Sequence, residues 1–388
     1  MLANPAPHPQ HGVPGFGAAV PEAATPAPVV TGPDPYRLDN GLLRVSLAGD
    51  GTIASIVDLA AERELVPAGA RANLLQLHPD HPNQYEAWDL DDFYRNRVTD
   101  LTGLDEIRAE ANEVVVTRSF EQSRVTQRLR LEPGLPRLDI RTEVDWHQRE
   151  RLLKLAFPFD LHAIEARSEI QFGYVTRPTH QNTSWDAAKF EIAAQRWVHV
   201  GEGSYGVAVL NRGTYGHDIS HPAQGDSRGG LPTTVRLSLV RGPLYPDPCA
   251  DEGLHVFETS LLVGGIAEAT RQGDALALPP RPVGGAGWEP LVSSSNPDVV
   301  ISAVKLADDR SGDLVVRMYE SLGGRAVTDL RLGFDAGPAQ VVNLLERTDQ
   351  VTETLTRLEP IAGGVRLRLR PFQIVTLRLP PARPKAQD

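Results

Sequence analysis

The chain is poor in sulfur and in lysine: 388 residues hold one cysteine, two methionines and four lysines. A single cysteine, Cys249, cannot close an intramolecular disulfide, and no Cys/His spacing resembles a structural zinc site, so nothing calls for an oxidising compartment and a cytoplasmic setting is expected. Basic runs are absent as well. With a net charge of −11, nucleic acid and anionic membrane surfaces are excluded as partners. No apolar run approaches the roughly 20 residues that a membrane-spanning helix needs. A secretory signal is not expected, since prolines interrupt every early apolar stretch and the first arginine is Arg37. Repeats of about 20 to 50 residues are missing, which argues against a propeller or solenoid. The Gly-x-Ser-x-Gly elbow, the phosphate-binding Gly-x-x-x-x-Gly-Lys loop and the His-Glu-x-x-His pair are all missing too, which removes the serine-hydrolase and nucleotide readings.

Turn formers are abundant, with 34 glycines and 32 prolines, and they separate segments of period two. Leu42–Leu47 and Thr52–Val57 flank Gly49-Asp50-Gly51 as the clearest hairpin. Arg124–Leu131 and Arg137–Trp146 alternate charged with apolar residues, as strands with one wet face do. Leu152–Phe159 is nearly continuous apolar, the pattern of a strand buried on both faces. Further strands are expected at 205–211, 233–240, 254–263, 299–307, 313–320, 327–334, 339–345, 364–370 and 372–379, while Leu104–Glu113 suits either a helix or a strand entry. The fold expected is all-β, in stacked antiparallel sheets. Residues 1–35, rich in Ala, Pro and Gly, read as a disordered tail or residual linker, and Pro380–Asp388 as a frayed end. The Gly/Pro-rich stretch Leu278–Gly287 divides a large sandwich, residues 36–278, from a small one, residues 288–380.

Three polar segments between strands carry the candidate chemistry. Asn83–Asp91 holds Trp88 and Asp89; Arg177–Asp186 holds His180, Asn182, Trp185 and Asp186; Arg241–Pro248 holds Tyr245 and Asp247. Aromatic faces stack on the C–H patches of sugars, and carboxylates, amides and guanidinium groups pair with their hydroxyls, so such loops suit the walls of a carbohydrate site. A packing role competes with this and is the favoured reading for any one loop: a loop Trp-Asp pair often plugs a sheet, the indole covering core while the carboxylate ties down backbone N–H groups. Arg317, with Tyr319 on one strand face and Glu320 opposite, is a further candidate, against a plain surface charge pair. His78-Pro79-Asp80-His81 offers metal-ligand atoms, but proline follows both histidines, which points to a turn with solvated imidazoles. Glycoside hydrolysis needs two suitably spaced carboxylic groups, or one helped by a metal, and no pair can be assigned from sequence spacing.

The same segments carry a resemblance. Asn40–Val45 with its glycine turn, Asn73–Leu77, Tyr85–Asp89, Glu143–Trp146, Leu153–Pro158, Gln171–Tyr174, the block Arg177–Asp186, Tyr205–Asn211 and Tyr245–Pro248 resemble the C-terminal half of glycoside hydrolase family 38 α-mannosidases of the bacterial and cytosolic or vacuolar type. The resemblance implies a galactose-mutarotase-like supersandwich followed by a small β-sandwich, and α-mannosides as the carbohydrate partner. It also implies that the zinc ion, the aspartate nucleophile and the acid/base carboxylate belong to an N-terminal barrel. No position here matches the barrel's His-x-Asp-x-Ala-Trp segment, so no catalytic residue, metal ligand or cofactor is assigned in this chain. Two functions follow: an α-mannosidase portion that needs a separately encoded barrel, or a stand-alone carbohydrate-binding or scaffolding module. An epimerase, lacking any motif match, ranks last.

Overall fold

A computed structural model describes residues 1–22, 27–221, 232–348 and 356–381. The fold is all-β, with antiparallel ladders, and the chain divides into two compact units. One comprises Met1–Ala23, Ile170–Tyr174 and Thr270–Asp388; the other comprises Ala24–Glu169 and Val175–Ala269.

The larger unit is built from the segments whose period two is plain in the sequence. The first hairpin pairs Leu43–Leu47 with Ile53–Asp58, Leu43 opposite Asp58, with a register shift at Ser46/Leu47. Asp50 accepts from the Thr52 amide at 2.9 Å, and Gly51 turns the chain at φ +76°. A side chain at Gly51 would meet Val116 at 2.5 Å, so both the backbone angle and the space require glycine. Ser123–Leu131 and Arg137–Trp146 form the centre of a nine-stranded sheet, Arg124 opposite Asp145, with Gly253–Val263 on the far side of the second strand. A six-stranded sheet runs in the order Ile192–Ala193, Gly216–Ser220, Thr233–Arg241, Arg151–Phe159, Leu74–Pro79, Thr99–Asp100. Val125, Leu129, Ile140, Val144, Leu153, Leu155, Phe157 and Leu237 meet in one buried cluster, where burial of apolar surface drives assembly. Leu104–Glu113 resolves as strand Glu106–Glu110 followed by a turn, not a helix.

The smaller unit contains two four-stranded sheets. Val292–Ser294, Ala326–Leu332, Gly364–Leu369 and Leu358–Ile361 form one; Val299–Leu306, Leu314–Glu320, Ile374–Leu379 and Gln340–Val342 form the other. Val316, Met318, Leu330, Leu367 and Leu377 fill the space between them. Its compact body takes in chain from Thr270 onward, whereas the composition break suggested a start near residue 288.

The opening residues correct the expectation of a disordered tail. Leu2–Ala3 pairs with both Ala18–Ala19 and Arg281–Pro282, and Ala18 and Trp288 exchange backbone hydrogen bonds at 2.9 Å. Ala6 and Val13 are fully buried, and the buried Asn4 amide donates to the carbonyls of His8 and Val13 at 2.8 and 3.1 Å. Order comes from this side-chain satisfaction of backbone groups rather than from an apolar period, which is why composition missed it. The helix Ile266–Ala277 was also not anticipated. Of the expected frayed end, residues 382–388 lie outside the described residues.

Glu320 is not part of a surface pair. Its carboxylate is buried and accepts the backbone N–H groups of Leu322, Gly323 and Phe372, each at 2.9 Å, fastening two turns of the small unit. Beside them Tyr174 meets Phe372 edge-on at 5.2 Å and Phe172 meets Tyr319 at 5.5 Å. Replacing Glu320 with Ala leaves three part-buried N–H donors without their acceptor and is expected to cost about 3 kcal/mol in chemical denaturation. Glu320→Gln, which keeps one acceptor oxygen, should lose clearly less.

Candidate functional site

The strand Arg151–Phe159 looks apolar in sequence, yet Lys154 at its centre is fully buried. Leu153 and Leu155 point into the core cluster, so alternation sends Lys154 to the opposite face of the six-stranded sheet. There its ammonium donates to Asp218 Oδ2 at 2.6 Å, to Ser238 Oγ at 3.0 Å and to Glu191. Arg236 Nε donates to the other Asp218 oxygen at 3.0 Å. Burial would raise the Asp218 pKa, but Lys154 and Arg236 hold it below the usual carboxylate range. Tyr94 donates its hydroxyl to Glu191 at 2.6 Å, and its ring lies 5.1 Å from the Lys154 ammonium; burial, then the Asp218 and Glu191 charges, push this phenol up. Two cations thus face two carboxylates, the condition under which such charges tolerate burial.

Two of these partners are not on the sheet. Tyr94 belongs to the short 3-10 helix Asp92–Asn96, which directly follows the segment bearing Trp88 and Asp89; Glu191 follows shortly after the segment bearing His180 to Asp186. The Arg95 guanidinium lies 5.2 Å over the Phe190 ring, joining the same two loops. The third segment joins through Arg241, which pairs with Asp80 and donates to the carbonyls of Glu86 at 3.0 Å and Asp89 at 2.7 Å. In return the Glu86 carboxylate accepts the amides of Leu244 and Tyr245, both at 3.1 Å. All three polar segments are therefore tied together over one sheet.

Eight of the candidate residues lie on these loops. Trp88, Trp185 and Tyr245 are 67%, 80% and 68% exposed. Neither loop tryptophan is a plug; core filling falls to the fully buried Trp146 and Trp197. Thr183 caps a short helix, Ser184–Ala187, by accepting the Asp186 amide at 3.1 Å, and its hydroxyl donates to Asp186 Oδ2 at 2.7 Å. That hydrogen bond, helped by the His180 imidazole 3.6 Å away, lowers the Asp186 pKa. The Asn182 amide donates to His180 Nδ1 at 3.3 Å, and Asp247 accepts the Cys249 amide at 2.9 Å. Asp89 and Asp247 are exposed. Arg317 belongs to the smaller unit, where it braces its own sheet by donating to Thr376 Oγ1 at 3.1 Å and to the Leu344 carbonyl at 3.3 Å.

The residues here do not fit a zinc ion, which the resemblance assigns to an N-terminal barrel. His78 is buried on the strand Leu74–Pro79 rather than solvated in a turn. Its Nδ1 donates to the Arg97 carbonyl at 2.9 Å, and its Nε2 accepts from Arg236 at 3.3 Å. Asp80 is taken by Arg241 and His81 by Glu150 at 3.1 Å. Among the described residues no three His, Cys, Asp or Glu side chains converge as a metal site. Sequence reasoning missed Tyr94, Lys154, Glu191, Asp218 and Arg236; the one available signal was a lysine interrupting an apolar strand.

Residues 38–249 match the family described as Glycosyl hydrolases family 38 C-terminal domain, and residues 298–377 match the Glycosyl hydrolases family 38 C-terminal beta sandwich domain. The chain is 34% identical over 361 residues to human Alpha-mannosidase 2C1, covering 88% of this chain and 33% of that protein. It is 30% identical over 397 residues to the Alpha-mannosidase of Saccharomyces cerevisiae, covering 90% and 35%. It therefore spans about a third of the length of these curated relatives. The crystal structure of an alpha-mannosidase from Enterococcus faecalis V583 shares the fold, with a TM-score of 0.69 at 16% identity, over 95% of this chain and 45% of that one.

Lys154→Met leaves buried Asp218 and half-buried Glu191 facing one guanidinium and is expected to destabilise the larger unit by about 3–5 kcal/mol. Hydrogen exchange should accelerate selectively in 83–97 and 183–191; uniform acceleration would contradict a loop-anchoring role. Acid should act on the imidazoles of His78, His199 and His217, which burial, aided at His78 by Arg236, depresses to about 4. Between the unfolded value near 6.5 and about 4 the unfolded chain binds protons that the folded chain refuses, so stability falls as pH falls, by up to about 3 kcal/mol per group. Thermal unfolding midpoints followed from pH 7 to 4 test this, and His217→Asn should flatten the decline.

Proposed function

The chain belongs to glycosyl hydrolase family 38, and from that premise we propose that it is the C-terminal portion of an α-mannosidase, contributing carbohydrate contacts to the hydrolysis of terminal α-D-mannosides. The observation that carries this reading is the gathering of three polar, aromatic-bearing loops over one sheet by Lys154 and Arg241. Exposed indole and phenol faces at Trp88, Trp185 and Tyr245 offer stacking surfaces for sugar C–H patches, while Asp89 and Asp247 offer acceptors for hydroxyls. Such groups bind and orient a glycan. Bond cleavage requires carboxylic groups held at a fixed separation across the glycosidic bond, and the loop carboxylates of Glu86, Asp91, Asp186 and Asp247 accept hydrogen bonds from neighbouring backbone and side chains. In this proposal the zinc ion, nucleophile and general acid are supplied by a catalytic barrel, and the portion described here does not turn over substrate by itself. A cytoplasmic setting suits its single, exposed and unpaired cysteine. The alternative, a stand-alone carbohydrate-binding or scaffolding module, draws support from the same exposed aromatics.

Cleavage of an aryl α-mannoside separates the two. The purified chain with zinc should give no turnover, and adding a zinc-bearing family 38 barrel should give turnover that Trp88→Ala and Trp185→Ala reduce by about tenfold, as expected for the loss of roughly 1.4 kcal/mol of contact. Robust zinc-dependent turnover by the chain alone would overturn the need for a barrel. Mannoside binding with no gain on adding the barrel would favour the stand-alone module.

A further inference from the structure

A cavity of the larger unit, about 510 Å³, uses none of the nine candidate residues. It lies where three connections meet: the turn before Ser123–Leu131, the turn after Arg137–Trp146, and the loop before Gly253–Val263. Its volume falls within the range of small-molecule sites. The floor is held in place. Buried Gln148 donates to Ser123 Oγ at 3.0 Å, the same oxygen accepts the His147 amide at 2.8 Å, and Glu150 donates its amide to the Gly242 carbonyl at 2.6 Å. The loop can approach this closely because residue 242 is glycine; a Cβ there would stand 2.2 Å from the Gln148 carbonyl oxygen.

The walls hold planar polar groups of both signs. Arg149 and Arg151 form no ion pair among the described residues, although arginine elsewhere in the chain is widely paired with carboxylates. Glu121, exposed on the facing turn, has no ion pair among the described residues. Glu252 is oriented by His147, whose ring nitrogens lie 2.9 Å from Asp145 and 3.4 Å from Glu252. Two guanidinium groups and two carboxylates balance in charge, so an anion gains little net attraction. Vicinal hydroxyls suit them: a carboxylate accepts two hydroxyl hydrogens side by side, and a guanidinium donates to two hydroxyl oxygens in the same manner.

We propose that this cleft is a second carbohydrate site, taking a neutral mono- or disaccharide unit through its hydroxyls. It stands on its own lining chemistry and does not require the α-mannosidase reading. With no aromatic platform in the lining, a dissociation constant on the order of millimolar is expected.

Cys249, the chain's single cysteine, lies on the cavity wall and is exposed, so it reports occupancy directly. In the full chain, methyl α-D-mannoside or mannobiose at about ten times the dissociation constant should slow alkylation of Cys249 by about tenfold, saturably. Inorganic phosphate at equal concentration should not. Arg149→Ala with Glu121→Gln, both exposed turn positions, should abolish the protection, whereas Trp88→Ala with Trp185→Ala should retain it. Saturation-transfer NMR with the same sugars is the second readout. Absence of both protection and transfer overturns the proposal, as does protection by phosphate alone or protection that survives in the Arg149/Glu121 variant. Because the loop-tryptophan variant and the barrel-complemented hydrolysis assay report on the other surface, failure here is distinct from failure of the α-mannosidase reading.

Discussion

A buried ammonium cannot stand alone in an apolar strand. Lys154 sits among leucines on a central strand, and moving its charge out of water costs several kcal/mol unless counter-charges and hydrogen-bond acceptors reach it. Asp218 supplies one from within the sheet; Glu191 must come from a loop, and Tyr94 from another. Satisfying one side chain therefore dictates where two long connections lie. Arg241 does the same for the third through backbone carbonyls, which fixes chain path without depending on particular loop side chains. The aromatic groups on these loops are thereby left outward, since the inward positions are taken by the groups that satisfy the charges.

The smaller unit solves a related problem with the opposite charge. Glu320 is buried on a strand and meets its requirement with three backbone N–H groups, so it fastens turns without needing a cation. Asn4 plays a comparable part in the opening segment, where an amide side chain replaces the missing strand partners of a proline-interrupted backbone. In each case a single polar side chain orders residues whose composition alone suggests irregular chain.

Legibility followed the physics of each element. The hairpin at residues 43–58 and the strands around 123–146 were readable because one face is buried and one is wet, which writes a period of two into the sequence. The helix Ile266–Ala277 was not, because Ala, Gly and Thr interrupt any clear apolar stripe. The three loops were recognised by their mixture of aromatic and polar residues, yet the role of their tryptophans was read with packing weighed above exposure; both indoles face solvent. Arg317 looked like part of the same set because chemistry was judged without position, and it belongs to the smaller unit. His78 and Asp80 had the composition of metal ligands, but their atoms are spent on Arg97, Arg236 and Arg241.

By itself, the sequence determined that the protein is all-β, which segments form its hairpins, and that it carries the pattern of glycosyl hydrolase family 38 C-terminal domains. These properties live in local periodicity and in motifs of contiguous residues. Only the tertiary structure decided that three distant loops share one anchoring network, that the opening residues are folded, and that a polar cleft lies beside Cys249. Each of those depends on pairing groups far apart in the chain, as Lys154 with Asp218 or Arg241 with Asp89, and the need to satisfy buried charge acts through space, leaving no period along the sequence to read.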